Sequence, residues 1–81
     1  MLHKDERLAL AVRATVARVR FDEARVLDPT TRLGDEAVEA ARALARAWQG
    51  DSPNVLDWIG CTDEEYRRAV EAALAAECQL V

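Results

Sequence analysis

The chain has 81 residues, of which 51% are apolar and 32% charged, and carries a formal net charge of −4. That length gives one domain, residues 1–81, and a domain this small buries only about 60% of its unfolded surface, so its core must be thin. Residues 1–33 hold seven Lys or Arg against five Asp or Glu (+2) and residues 34–81 four against ten (−6), and an acidic second half argues against nucleic acid as the main partner, because that affinity comes chiefly from cationic contacts with phosphate.

The longest run without Pro or Gly is Lys4 to Leu27. Rich in Ala, Leu and Arg and ended by Asp28-Pro29, it predicts one helix over 4–27, about 35 Å long. Asp5 and Glu6 fall in its first turn, where the helix dipole favours negative charge. This helix carries two apolar stripes. Leu8, Val12, Val16, Val19 and Val26 make one for packing against the rest of the chain, and Leu10, Ala14, Ala17, Phe21 and Ala24 make a second on nearly the opposite side. Two arginine pairs border them, Arg13 with Arg20 and Arg18 with Arg25, each seven residues apart. The second stripe needs a partner. It is either covered by later helices, with arginine stems lying over the core edges, or it binds another chain through Leu10, Arg13, Ala14, Ala17, Phe21 and Arg25.

The segment from Asp28 to Gly34 reads as a turn, with Gly34 a flexible exit. Asp35 is the expected N-cap of a second helix over 35–49, whose apolar face is Val38, Ala41, Leu44, Ala45 and Trp48. Gly50 stops it at a position that favours a left-handed residue. Ser52-Pro53 then signals a short third helix over 53–59, since serine caps and proline is tolerated at the first helical position. This helix carries Val55, Leu56, Trp58 and Ile59 and ends at Gly60. Thr62 with Glu65 forms a capping box, flanked by a Cys61–Tyr66 staple, and opens a fourth helix over 63–78. That helix buries Tyr66, Ala69, Val70, Ala73 and Leu74 and frays after Glu77, with Glu64 and Arg68 an i,i+4 pair. Trp48 and Trp58 read as core anchors.

Val55 to Thr62, followed by Tyr66 and Val70, resembles a helix-turn-helix in spacing: a short helix, glycine in the turn, a capped second helix. A DNA-reading second helix presents its first turns to the major groove, and here those turns read Asp63-Glu64-Glu65, leaving only Arg67 and Arg68 as DNA contacts. Catalytic groups are scarce. His3 is the sole histidine and Ser52 the sole serine, so neither a Ser-His-acid arrangement nor a histidine-bearing metal site assembles. Gly34, Gly50 and Gly60 stand singly, which gives no phosphate-cradling loop and no cofactor signature. Cys61 and Cys78 follow no metal or redox spacing and read as free thiols. No secretory n-region and apolar h-region open the sequence and no apolar run approaches membrane length, so a cytoplasmic location is the default expectation.

The expectation is therefore an all-α, small four-helix orthogonal bundle, long helix, helix, short helix, helix, with a helix-turn-helix-like C-terminal corner. No enzyme activity, cofactor or metal is expected. The expected function is protein binding: a bacterial or phage-type regulator or inhibitor, such as an antitoxin, an anti-defence inhibitor or an assembly accessory, that contacts a larger protein through a helix face. A homodimer or self-assembling subunit pairing through the second stripe, and a DNA-binding regulator using Arg67 and Arg68, are the alternatives. On either protein-contact reading, Phe21→Asp is expected to keep the fold and abolish association.

Overall fold

The computed structural model describes residues 2–49 and 54–79, with side chains as far as Ala76. It is the expected all-α bundle of four helices: α1 (Lys4–Leu27), α2 (Leu33–Trp48), α3 (Val55–Ile59) and α4 (Asp63–Gln79). The spine α1 runs as predicted, with Asp5 and Glu6 in its first turn and Arg25 in its last. Asp28 stops it in extended conformation, as expected for a residue before proline.

The turn into α2 is tighter than the sequence suggests. Asp28 Oδ1 accepts from the Thr30 backbone N–H (3.0 Å) and hydroxyl (2.7 Å), and the Thr31 N–H donates to the Asp28 carbonyl (3.1 Å). The Thr30 hydroxyl bond, then the Thr30 backbone bond, hold the Asp28 carboxyl below the usual carboxylate range. The Thr31 hydroxyl then accepts from the Leu33 N–H (3.3 Å), so the helix starts at Leu33 with Arg32 at the N-cap. Asp35 is thus not the cap; it lies with Glu36 in the first turn, where it complements the dipole. Gly34 is no flexible exit either. It sits inside that turn against the Phe21 ring, where an added Cβ would stand 3.2 Å from Cε1. At the other end Gln49 takes the left-handed conformation (φ 50°) and its N–H donates to the Ala45 carbonyl (2.9 Å), and the predicted stop at Gly50 lies outside the described residues.

The predicted Ser52-Pro53 helix start lies outside the described residues. The cap that the structure shows is Asn54, whose side chain accepts from the Leu56 N–H at 2.9 Å, so α3 begins at Val55. Gly60 closes it at φ 88°, a conformation that glycine adopts without steric cost. The capping box of α4 forms as read: the Glu65 N–H donates to the Thr62 hydroxyl oxygen (3.1 Å) and the Thr62 N–H to Glu65 Oε1 (3.2 Å). The Arg68–Glu64 pair also forms (2.8 Å). The fourth helix extends to Gln79, one residue beyond its predicted end.

The spine packs against α2, α3 and α4. The core gathers at one end of the molecule. Ala11, Trp58 and Ile59 are buried there, with Leu2, Leu8, Leu10, Leu44, Ala47, Trp48, Val55, Cys61 and Tyr66 packed around them. Arg7 clamps α3 to α1: its guanidinium lies 5.1 Å from the Trp58 ring and donates to the Trp58 carbonyl (2.7 Å). Tyr66 clamps α4, donating to the Ala11 carbonyl (2.9 Å) and bonding to the Thr15 hydroxyl. The opposite end, where α1 finishes and α2 starts, is thin. Val26 is 80% and Leu27 90% exposed, so the first stripe is core only as far as Val16, with Val19 half-buried.

The inner face of α2 keeps Leu44 and Trp48, which pack on the core as read, but is otherwise shifted from the predicted one. Ala40 is buried and Ala37, Leu44 and Ala47 half-buried, whereas Val38, Ala41 and Ala45 are exposed. The second stripe of α1 meets the later elements at two points: Leu10 joins the core and Phe21 rests on Gly34.

Candidate functional site

Two open grooves run along the α1–α2 seam, one on each flank, and they share no lining residue. The first, of about 800 Å³, is floored by Val12, Val16 and Ala17 and walled by α2 and by Ala73 of α4. Its floor is apolar because positions 9, 12 and 16 follow one helix face, and it stays open because Ala9, Ala17 and Ala73 are too small to fill it. The two edges differ in charge. Arg13 and Arg20 stand on the α1 side, and Asp35, Glu36 and Glu39 on the α2 side.

The second groove, of about 580 Å³, lies between Ala14, Thr15 and Phe21 of α1 and Gly34, Ala37, Val38 and Ala41 of α2. A shallower hollow continues it past Val26 and Pro29. Its α1 edge is a charge ladder in which Asp22 lies between two arginines, 3.6 Å from Arg18 Nε and 3.7 Å from Arg25 Nε. The Arg25 guanidinium also stands 5.8 Å from the Phe21 ring. All three charged side chains are substantially exposed, so each pair adds little to stability.

The structure therefore divides the six residues proposed for partner contact. Leu10 belongs to the core and Phe21 to the α1–α2 contact, since each touches its own chain. Arg13 and Ala17 line the first groove, and Ala14 and Arg25 the second. Phe21→Asp consequently strikes an internal contact, and the expectation that it spares the fold is replaced by one of lost stability. Val38, Ala41 and Ala45 were missed as surface. Alanine makes this face ambiguous, because Ala37, Ala40 and Ala47 can continue an apolar stripe through Leu44 as readily as Ala41 and Ala45 can. The bulk of Val38 pointed the wrong way, since an apolar side chain in such a stripe is expected inward and this one is exposed.

The helix-turn-helix-like corner is present as α3, Gly60 and α4, but α3 is only five residues long. Arg67 and Arg68 are both exposed, and each pairs with an acid of its own helix, Glu71 (3.8 Å) and Glu64 (2.8 Å). Asp63, Glu64 and Glu65 occupy the turn that would face phosphates. The Thr62 backbone bond, then the nearby Lys4 charge, hold the Glu65 carboxyl below the usual range. Repulsion from these carboxylates opposes DNA at this corner.

Burial, and then the Glu65 charge, push the Cys61 thiol up, and a protonated thiol is a poor nucleophile. Among the described residues no three His, Cys, Asp or Glu side chains group as metal ligands, and no helix is long and apolar enough to cross a membrane. No protein-family model matches the chain, and neither a curated protein nor a solved structure is significantly similar to it. The surface itself is thus the guide to function.

Proposed function

We propose that this protein is a non-enzymatic, cytoplasmic regulator or inhibitor that works by binding a larger protein, one helix of which lies in the first groove. The observation that carries this reading is the groove's construction. It joins an apolar floor of Val12, Val16 and Ala17 to two edges of opposite charge. Helix-in-groove recognition needs such a floor for the partner's apolar anchors. Opposite edge charges favour one orientation of the incoming helix over its reverse, which gives specificity more than affinity. The small residues Ala9, Ala17 and Ala73 leave room for a partner's Leu or Phe between the walls.

The test uses Ala9→Arg, a change at an exposed helix position on the groove wall. Arginine is a good helix former, so the fold is expected to survive. The immobilised chain is expected to retain a defined protein from an extract of its source cells. The variant is expected to lose at least about tenfold of that retention, the scale of one hot-spot contact, with its circular dichroism and melting unchanged. Equal retention by wild type, Ala9→Arg and Glu39→Arg would place the partner elsewhere and contradict the reading.

A further inference from the structure

The four helices are not held equally. Buried side chains come from α1 (Ala11, Val12, Val16), α2 (Ala40) and α3 (Trp58, Ile59), whereas every described side chain of α4 is half-buried or exposed. Among the described residues, Tyr66 is the one α4 side chain that packs on the core cluster. Beyond it the inner face of α4 is Ala69, Val70, Ala73 and Leu74, all half-buried, and the two alanines have only a methyl each to bury. The other fixings are polar. Tyr66 bonds to the Ala11 carbonyl (2.9 Å) and to the Thr15 hydroxyl, groups that water can serve in their place. Lys4 stands 3.7 Å from Glu65 with both side chains more than half exposed, and such a pair holds little.

Its local bonds, by contrast, are its own. The Thr62–Glu65 capping box and the Arg67–Glu71 and Arg68–Glu64 pairs lie within α4 and its cap, so none is lost when α4 parts from α1. The connection to α3 permits such a parting. Trp58 and Ile59 hold α3 in the core as far as Gly60, which stands at φ 88° with open space where a Cβ would lie. Hinges are a few residues at element ends that absorb a backbone change, and glycine takes either sign of φ without steric cost. An element with few buried apolar contacts and intact local bonds is the kind that opens as a cooperative unit ahead of the whole fold.

We propose that α4 is a movable wall: pivoting at Gly60, with Tyr66 as its latch, it leaves the spine as one unit while α1, α2 and α3 stay packed. Ala73 forms the α4 side of the first groove, so release of α4 widens that groove and docking restores the width shown. The consequence for binding rests on the function proposed above. A partner helix that fits one width better than the other shifts α4 toward that position, which couples binding to release.

Native-state hydrogen exchange of the purified chain, followed at rising low denaturant, tests the motion. The amides of residues 66–74 are expected to share one opening, with protection at least about tenfold below that of residues 12–16 in α1. Ala40→Gly weakens the packed remainder at a buried α2 position. It is expected to cut the α1 protection about fourfold through lost helix propensity and to leave α4 unchanged, because the released form carries the same substitution. Amides of α4 as well protected as those of α1, and falling with them in Ala40→Gly, would overturn the proposal, since α4 would then leave only with the whole fold. Exchange graded from the helix end inward, with no shared step, would overturn it too, because that pattern is fraying. Should the shared opening appear while Ala9→Arg leaves partner retention intact, the proposed function fails and the movable wall stands.

Discussion

Tyr66→Phe removes a single oxygen and tests how α4 is fixed to the spine. The Tyr66 hydroxyl donates to the Ala11 carbonyl at 2.9 Å and bonds to the Thr15 hydroxyl, both part-buried. Because the tyrosine proton goes to the carbonyl, Thr15 is the donor of the second bond. Each such bond contributes a net ~1 kcal/mol, so the variant is expected to lose about 1–2 kcal/mol. For 81 residues the whole stability is of order 4–12 kcal/mol, so this is a sizeable share. The melting temperature is expected to fall by roughly 4–16 °C. Urea unfolding of wild type, Tyr66→Phe, Thr15→Val and the double variant gives the interaction energy, expected at about 0.5–1.5 kcal/mol. Additive single effects with a loss below about 0.3 kcal/mol would refute the reasoning. They would mean that water replaces these bonds freely and that α4 is held by apolar contact alone.

Trp58, 4% exposed at the core end, is expected to cost about 3–5 kcal/mol on change to Ala, enough to leave much of the chain unfolded at 37 °C by urea titration. Gly34→Ala is expected to bring no net stabilisation. A helix-propensity gain of at most about 1 kcal/mol is offset because the new Cβ stands 3.2 Å from the Phe21 ring; in a Phe21→Leu background the gain should reappear. Glu65, with its carboxyl held below the usual range by the Thr62 backbone bond and Lys4, is expected to titrate low by NMR. The stability it lends to the α4 terminus is present above the ordinary glutamate pKa and lost as pH falls through the lowered value. Glu65→Gln should flatten that acid limb, and a Glu65 titrating at the ordinary value would contradict the capping account.

Which features were legible in the sequence follows from how local their causes are. The 24-residue span of α1 and the Thr62–Glu65 box rest on contacts within a few residues, and both appear as read. The start of α2 was misplaced because Asp28 and Thr31 act on the backbone just ahead of it, two side-chain turns that outweigh the capping preference of Asp35. Gly34 looked like a breaker, but its cause is tertiary: the Phe21 ring of another helix occupies the space a Cβ would need. The face of α2 was misread in part, since alanine carries too little hydrophobic contrast to fix which stripe turns inward. That difference moved Val38 from expected core to exposed surface. The two stripes of α1 were visible from their spacing; which side α2 would cover was not, because nothing in either stripe names its partner.

The claim on which the account turns is that the first groove receives another protein. A photo-crosslinking amino acid placed at Arg13, on the edge of that groove, tests it, with the same group at Arg67 on the exposed face of α4 as the comparison. Irradiation in the source cells is expected to give one discrete adduct from position 13, abolished by Ala9→Arg, and none from position 67. No adduct at position 13, or an equal one at position 67 that Ala9→Arg leaves unchanged, would contradict the claim.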